Sequence, residues 1–561
     1  MKTKTDSRRR GLIARGVVVS LFSVFLVVPA MGADTLVNIQ PLVQPVDIPE
    51  VAPLPYTGVT AGAFTLPATM VNLKMTPNQG VTGDAFVVSG TGLPASTSLQ
   101  LTWSTSTGTW LTDIEPSSVN YTGISFTKLT VNMATVTTDA SGAFSFPSKV
   151  PADFGGIHDI YAVANGVALA HAGYQVNRTL TVSPTSGPIG TPITVTYTGM
   201  GASLYTAGGA VHYDNLYAGE MQAIWTRGVG KVVIYASGPR GTHYVNVGNA
   251  IGFTYLNVIQ SPIPFTNGGS IPFEVTKDVG IGTPIVTYPA KVTPTSNLHT
   301  TLTSVGLDPN TVATMTLSKT EGPILTNVNV KTAKVAVDGT YQLVWSTVVG
   351  NRVNCPTSTC WAFSSIPLGT ATVTNGVSST NVTIPDNLGG WHVIQMMKGN
   401  VIEAQTPFYL KESIMPFFDA AGKQIGLGVA TFDPSTAPDV IAKGQAGVPA
   451  TSFRAGEDFT ISIKGVGWTQ LDNTLAVTYD NSYIGYGCGF NSNGYMVVRL
   501  KATGAPGTHI IDFHPILYTN QPSFANTPYG MLPVLSSDRD FPGLALGYQV
   551  PSFHFAIKIV R

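Results

Sequence analysis

At 561 residues the chain exceeds what one hydrophobic core can organise, and at roughly 100 to 150 residues per domain it is expected to divide into about four. Thirty Lys and Arg balance thirty Asp and Glu, so no long-range field gathers nucleic acid, an anionic membrane or an acidic substrate, and those partners are set aside. Only 11% of residues are charged, against about 25% in an average soluble domain, while 59 Gly and 39 Pro punctuate a chain rich in Thr, Val and Ser; this predicts many short strands joined by turns, on a neutral surface that lacks the self-repulsion keeping proteins apart.

The N-terminus has the pattern of an export signal. Lys2, Lys4, Arg8, Arg9, Arg10 and Arg15 form a basic region, Gly16 to Val28 is apolar and uncharged, and Pro29-Ala30-Met31-Gly32-Ala33 offers small residues for cleavage. The pattern covers residues 1–33 and predicts a mature chain from Asp34 that is extracellular or at the cell surface. Ser7-Arg8-Arg9-Arg10-Gly11-Leu12 also has the form of a twin-arginine signal, with Gly11 where that pattern prefers a bulky apolar residue, so the export route stays open. The apolar run is shorter than the roughly 20 residues of a spanning helix, and no membrane span is expected after signal removal. Residues 34–69, with Pro41, Pro45, Pro49, Pro53, Pro55 and Pro67, predict an extended arm able to add itself as a strand to a neighbour's sheet edge.

The rest of the chain is a duplicated pair of modules, A-B-A′-B′, with A at 70–177, B at 178–280, A′ at 281–412 and B′ at 413–561. Gly190 to His243 aligns without a gap to Gly456 to His509, matching Gly199-x-Gly201 with Gly465-x-Gly467 and Gly241-Thr242-His243 with Gly507-Thr508-His509. Leu101-Thr102-Trp103-Ser104 aligns with Met315-Thr316-Leu317-Ser318, and Gly155-Gly156-Ile157-His158 with Gly389-Gly390-Trp391-His392, which predicts an insertion in A′ near 350–372 and a C-terminal extension of B′ after His514. Phe86-Val87-Val88-Ser89-Gly90, Ile193 to Tyr197 and Phe459 to Ile463 alternate with period two, and Phe553, Phe555, Ile557 and Ile559 share one face of a last strand. Asp139 to Gly142, Asp338-Gly339, Asp214-Asn215 and Asp480-Asn481 mark turns. The fold class is all-β, with tandem immunoglobulin-like β-sandwiches arranged in a row.

Ser183-Pro184-Thr185-Ser186-Gly187-Pro188-Ile189-Gly190-Thr191-Pro192-Ile193-Thr194-Val195 resembles the opening of IPT/TIG-type and related bacterial or archaeal immunoglobulin-like repeats, and the later Gly507-Thr508-His509-Ile510-Ile511 is similar to their ending. The resemblance covers most of residues 70 to 561. It implies a secreted surface, adhesive or sheath-like protein, or a spacer in an extracellular enzyme.

Three cysteines are few for a secreted chain, so the fold is expected to stand on its cores. Cys355 and Cys360 are spaced to close a small disulfide loop; a metal pair would need ligands that are not found nearby, and Cys488 is left over as a buried thiol. His158, His243, His392 and His509 follow glycine turns at equivalent places, one per module, and are expected to bond loop carbonyls. Tyr213, Asp214, Asn215 and Tyr217, with Tyr479, Asp480, Asn481 and Tyr483, are the candidate ligand-binding groups, because aromatic faces beside a carboxylate and an amide suit a sugar and the duplication supplies two sites. No nucleophile elbow, zinc-protease helix, phosphate loop or calcium loop occurs, and no catalytic residue, metal or cofactor is expected. Asn120, Asn177 and Asn381 begin N-glycosylation sequons. The leading expectation is an extracellular structural or adhesive protein that self-associates or binds other surface proteins; the alternatives are a glycan- or ligand-binding protein and a secreted enzyme or its accessory subunit.

Overall fold

Alternation sets the strands. In Ala85–Gly90 the side chains of Phe86 and Val88 are buried, in Pro192–Thr198 those of Ile193, Val195 and Tyr197, and in Ser552–Val560 those of Phe553, Phe555, Ile557 and Ile559, so each strand offers one apolar face to a facing sheet. The computed structural model describes residues 51–115, 118–249, 269–289, 310–350, 361–414, 417–418, 424–426, 428–432, 448–518 and 531–561. The export signal, the first part of the arm and the Cys355–Cys360 loop lie outside them.

One strand order recurs four times. In A, Lys74–Thr76, Ala85–Gly90 and Phe144–Lys149 form a three-stranded sheet, which faces Val167–Val176, Gly156–Ala164, Ser98–Glu115 and Ser118–Thr137, paired in that order; Gln79–Gly80 joins the second sheet in parallel on Val167–Val176. B places Thr179–Ser183, Pro192–Thr198 and Gly230–Tyr235 against Ser186–Gly187, Ser270–Val275, Gly241–Asn249, Gly208–Tyr213 and Leu216–Gln222. In A′ the counterparts are Thr314–Leu317, Asn327–Ala333 and Ser378–Thr383 against Glu321–Gly322, Val401–Leu410, Gly390–Lys398, Gly339–Gly350 and Trp361–Val373. In B′ they are Ser413–Ile414, Asp458–Lys464 and Tyr495–Lys501 against Ser452–Arg454, Ser552–Val560, Gly507–Tyr518, Thr474–Tyr479 and Ser482–Cys488. An opening stretch that leaves one sheet for the other is the immunoglobulin arrangement, and the chain is an all-β protein of tandem immunoglobulin-like sandwiches. No α-helix occurs among the described residues, and none of their helices is long and apolar enough to cross a membrane.

Three expectations are corrected. Strand order makes Met315 the counterpart of Met75, and Trp345 that of Trp103, so the alignment of Leu101–Ser104 with Met315–Ser318 joins strands of different sheets. Thr- and Ser-rich strands of period two match each other in many registers, and burial, not sequence, chooses among them. With Trp103 and Trp345 paired, the longer span to the following histidine is in A, through the long hairpin of Ser98–Glu115 with Ser118–Thr137, and the insertion expected in A′ is not what separates the two modules. The extension expected at the end of B′ does not lie outside its sheet, because the strand Ser552–Val560 pairs with Gly507–Tyr518.

Val37–Arg561 is one compact unit in which the modules pack on one another. Its largest hydrophobic cluster joins the B′ core to Trp110 of A, Ala207, Ile224 and Trp225 of B, and Tyr409 of A′, around Phe541, Leu544, Leu546 and Tyr548 of the connection that precedes Ser552–Val560. The arm is also closer to home than expected. Asn132 N donates to Val59 O at 2.9 Å and Ala61 N to Thr130 O at 2.8 Å, so residues 57–61 cover the edge of the arm's own module A, and Tyr56 packs edge-on against Trp103 at 5.6 Å.

Candidate functional site

Each module holds an aromatic ring on the strand opening its long hairpin and a histidine on the next strand of that sheet. Trp103 stacks on His158 at 4.4 Å, Trp345 on His392 at 4.5 Å and Tyr213 on His243 at 5.3 Å, and Tyr479 meets His509 at 5.7 Å. The ring nitrogens of His158 lie 2.7 Å from the carbonyls of Ser104 and Phe154, and those of His392 lie 3.0 and 2.8 Å from Ser346 and Leu388. Two carbonyls favour a doubly protonated ring, but burial wins at His392 and pushes its pKa down to about 4. In the B modules a carboxylate replaces one carbonyl. His509 Nε2 donates to Ala505 O at 2.8 Å while Nδ1 meets Asp480 Oδ2 at 2.6 Å; burial opposes its charge, yet the Asp480 bond and the carbonyl outweigh it and hold the pKa above the ordinary value. His243 is held the same way between Pro239 O and Asp214.

This geometry places the candidate ligand-binding residues. Asp214 and Asn215, and likewise Asp480 and Asn481, have positive φ and turn their hairpins in two residues, as type I′ turns require. Asp214 Oδ1 accepts from Tyr244 N at 2.8 Å and Asp480 Oδ1 from Ile510 N at 2.9 Å, so each carboxylate ties its turn to the next strand and to the histidine. Tyr213 is buried and donates to Ser237 O at 2.9 Å; half-buried Tyr479 donates to Thr503 O at 2.8 Å. Tyr217 is buried with its hydroxyl 3.0 Å from Glu220, and meets Tyr483 edge-on at 6.3 Å across the seam between B and B′. Asn481 Nδ2 donates to Tyr235 O and Ser237 Oγ at 2.8 and 2.9 Å, whereas Asn215 is exposed. The structure thus brings the two groups together at one seam, where the rings of Tyr213 and Tyr217 are buried and those of Tyr479 and Tyr483 are half-buried.

The repeated Gly-Gly-x-His belongs to the joints between modules. Gly155 N donates to Met200 O at 2.7 Å and Gly389 N to Val466 O at 3.0 Å, and a Cβ there would fall 1.8 Å from Gly199 O or 1.6 Å from Gly465 O, so only glycine allows the approach. Beside the first joint, Asp153 accepts from Trp103 Nε1 and Thr105 Oγ1, both at 2.8 Å, and faces Arg227 at 3.8 Å. Beside the second, Asn387 accepts from Trp345 Nε1 at 3.2 Å and Thr347 Oγ1 at 2.5 Å, and donates to Asn493 at 2.9 Å. One joint therefore uses a buried ion pair where the other uses two amides.

Sequence reading missed the groups of that connection and the seam. Asp540 is buried and accepts from Trp110 Nε1 at 2.7 Å and from Ile224 and Trp225 amides at 2.6 and 3.1 Å; burial raises its pKa to about 6 against the pull of these donors. A cavity of about 100 Å³ lies where B meets B′, lined by Lys231, Tyr235, Asp512, His514, Arg539 and His554. His554 Nδ1 meets Asp512 at 2.6 Å and its ring stacks 3.5 Å from Tyr235, while His514 keeps a buried Nδ1 without a partner. The only sequence signal for His554 is its place on the polar side of the last alternating strand, the side that meets B. No group of three or more His, Cys, Asp or Glu is placed to hold a metal among the described residues, and Cys488 is a free, half-buried thiol.

No family model and no curated protein matches the chain. Among solved structures it is similar to Salmonella α2-macroglobulin (8% identity, TM-score 0.16, covering 88% of this chain and 31% of that one), and to the ICAM-5 D1–D4 ectodomain fragment (9%, TM-score 0.16, 88% and 100%). A putative membrane-anchored protein from Corynebacterium diphtheriae is similar at 10% identity and TM-score 0.15, over 88% of this chain and 91% of that one. The chain spans less than a third of the α2-macroglobulin it matches. At these identities and scores the likenesses add nothing to what the strand order already establishes: an all-β chain of immunoglobulin-like sandwiches.

Proposed function

We propose that this protein is exported and serves as an extracellular structural or adhesive component of a cell surface, of the surface-layer, sheath, filament or adhesin kind, built from repeats of the IPT/TIG type. The observation that carries the reading is where the polar groups go. The four module histidines, the turn carboxylates, the indole N–H groups of Trp103, Trp110 and Trp345 and the buried Asp540 hold strands or modules to one another, which suits a part whose task is to keep its form. The basic and apolar N-terminal pattern supports export, and the neutral, sparsely charged composition supports association with other copies. Light scattering and electron microscopy of residues 34–561 test the reading. Ordered polymers, sheets or a stable oligomer are expected; a monomer across a range of concentration, calcium and salt would overturn self-assembly as the main function.

A further inference from the structure

The four modules place an equivalent strand at the same sheet edge, and such an edge is a template for pairing unless it is covered or blocked. In A, residues 57–61 of the arm cover Ser118–Thr137 at Thr130 and Asn132. In B, the connection before Ser552–Val560 covers Leu216–Gln222: Val534 bridges Glu220 in parallel, Leu535 N donates to Glu220 O at 2.8 Å, and Ser536 Oγ accepts from Gln222 N at 2.9 Å. In A′, the register puts Pro367 opposite Val344, the place Asn132 holds opposite Thr102 in A, and proline lacks the N–H that Asn132 donates to the arm. The edge of B′, Ser482–Cys488, has none of these devices among the described residues. It contains no proline and no charge, and its sequence is Ser-Tyr-Ile-Gly-Tyr-Gly-Cys.

The repeat shows which groups of this edge face outward. Tyr486 pairs with Ala476 as Glu220 pairs with Ala210, with the same bulge two residues earlier, so the main chain of Tyr486 points where Glu220 meets the added strand. Glu220 is fully buried beneath that strand, whereas Tyr486 is 50% exposed and Ile484 49%. The other end of the same strand already takes part in the seam with B, where Tyr483 meets Tyr217, so pairing here continues an existing interface.

We propose that Ser482–Cys488 is the surface through which two copies of this chain associate, edge to edge and antiparallel about a two-fold axis, each strand completing its main-chain hydrogen bonds on the other. The inference rests on the assembly reading above and names its contact. A second copy is the fitting occupant because an uncharged edge meets its own image without like-charge repulsion, and a two-fold pairing joins the same patch on both partners. Ile484 and Tyr486 of the two chains then flank the new ladder.

The test uses residues 34–561 with Tyr486→Pro, which copies the device of A′ at a position whose N–H is not needed inside the sheet, and Tyr486→Lys, which places a charge on the edge without touching the backbone. Sedimentation over a concentration series is expected to show wild-type association and a dissociation constant raised about tenfold or more in both variants. Hydrogen exchange is expected to show slowing at the Tyr486 amide only when the wild type is concentrated. Wild-type association that both variants retain would overturn this edge and leave the assembly reading standing. A Tyr486 amide equally protected at all concentrations would show the edge covered within one chain and also overturn it, and a wild type that stays monomeric would overturn both.

Discussion

Asp540 and His392 show how differently two buried titratable groups act. Asp540→Ala leaves the Trp110 indole and two amides without their acceptor, and a loss of about 3 kcal/mol is expected in urea unfolding, with Asp540→Asn costing less because an acceptor remains. Its folded pKa of about 6 lies above the ordinary 3.8, so the folded chain holds this proton more tightly than the unfolded one. The contribution is full below pH 3.8 and is lost as pH rises to about 6, so the wild type should lose stability relative to Asp540→Asn across that window. His392 has the opposite sign: burial takes its pKa from 6.5 down to about 4, so its contribution is present above pH 6.5 and lost as pH falls to about 4. Urea midpoints of His392→Gln against pH should be flatter than those of the wild type between those limits.

At the scale of elements, the two joints are a natural comparison. Arg227→Asn leaves Asp153 buried without its cation and is expected to cost about 2 kcal/mol, whereas adding Asp153→Asn recreates the amide pair of the second joint and should restore most of that loss. A double-mutant cycle by urea unfolding measures the coupling, and additive losses would show that Asp153 and Arg227 act independently. The same scale explains why the arm was misplaced by sequence reasoning. Its prolines and apolar residues correctly suggest a strand that seeks an edge, but whose edge it meets depends on the length and path of the chain between Thr60 and Val131, which local pattern does not encode.

For the whole molecule, the B′ cluster takes in Trp110 of A, Trp225 of B and Tyr409 of A′ and so ties the separate module cores together, and the modules should unfold together. Calorimetry of residues 34–561 is expected to give one transition, which Trp110→Ala lowers as a unit by about 3 kcal/mol; separate transitions for separate modules would show that the joining cluster does not couple them. The strands, the two-residue Asp-Asn turns and the duplication were legible in the sequence, because period two, positive-φ residues and a gapless repeat are local or linear signals. The histidines were legible as partners of loop carbonyls for the same reason: each stands at a fixed distance after its glycine turn. What only the tertiary structure decided was where the modules meet. Tyr213 and Tyr217 pack inward because the B and B′ seam and the B core take them up, and Asp540 finds Trp110 and Trp225 across hundreds of residues, through a connection whose own sequence has no periodic pattern. Sequence determined the modules by local backbone preference and alternating burial, whereas their union was settled by long-range packing and by the need to satisfy buried donors.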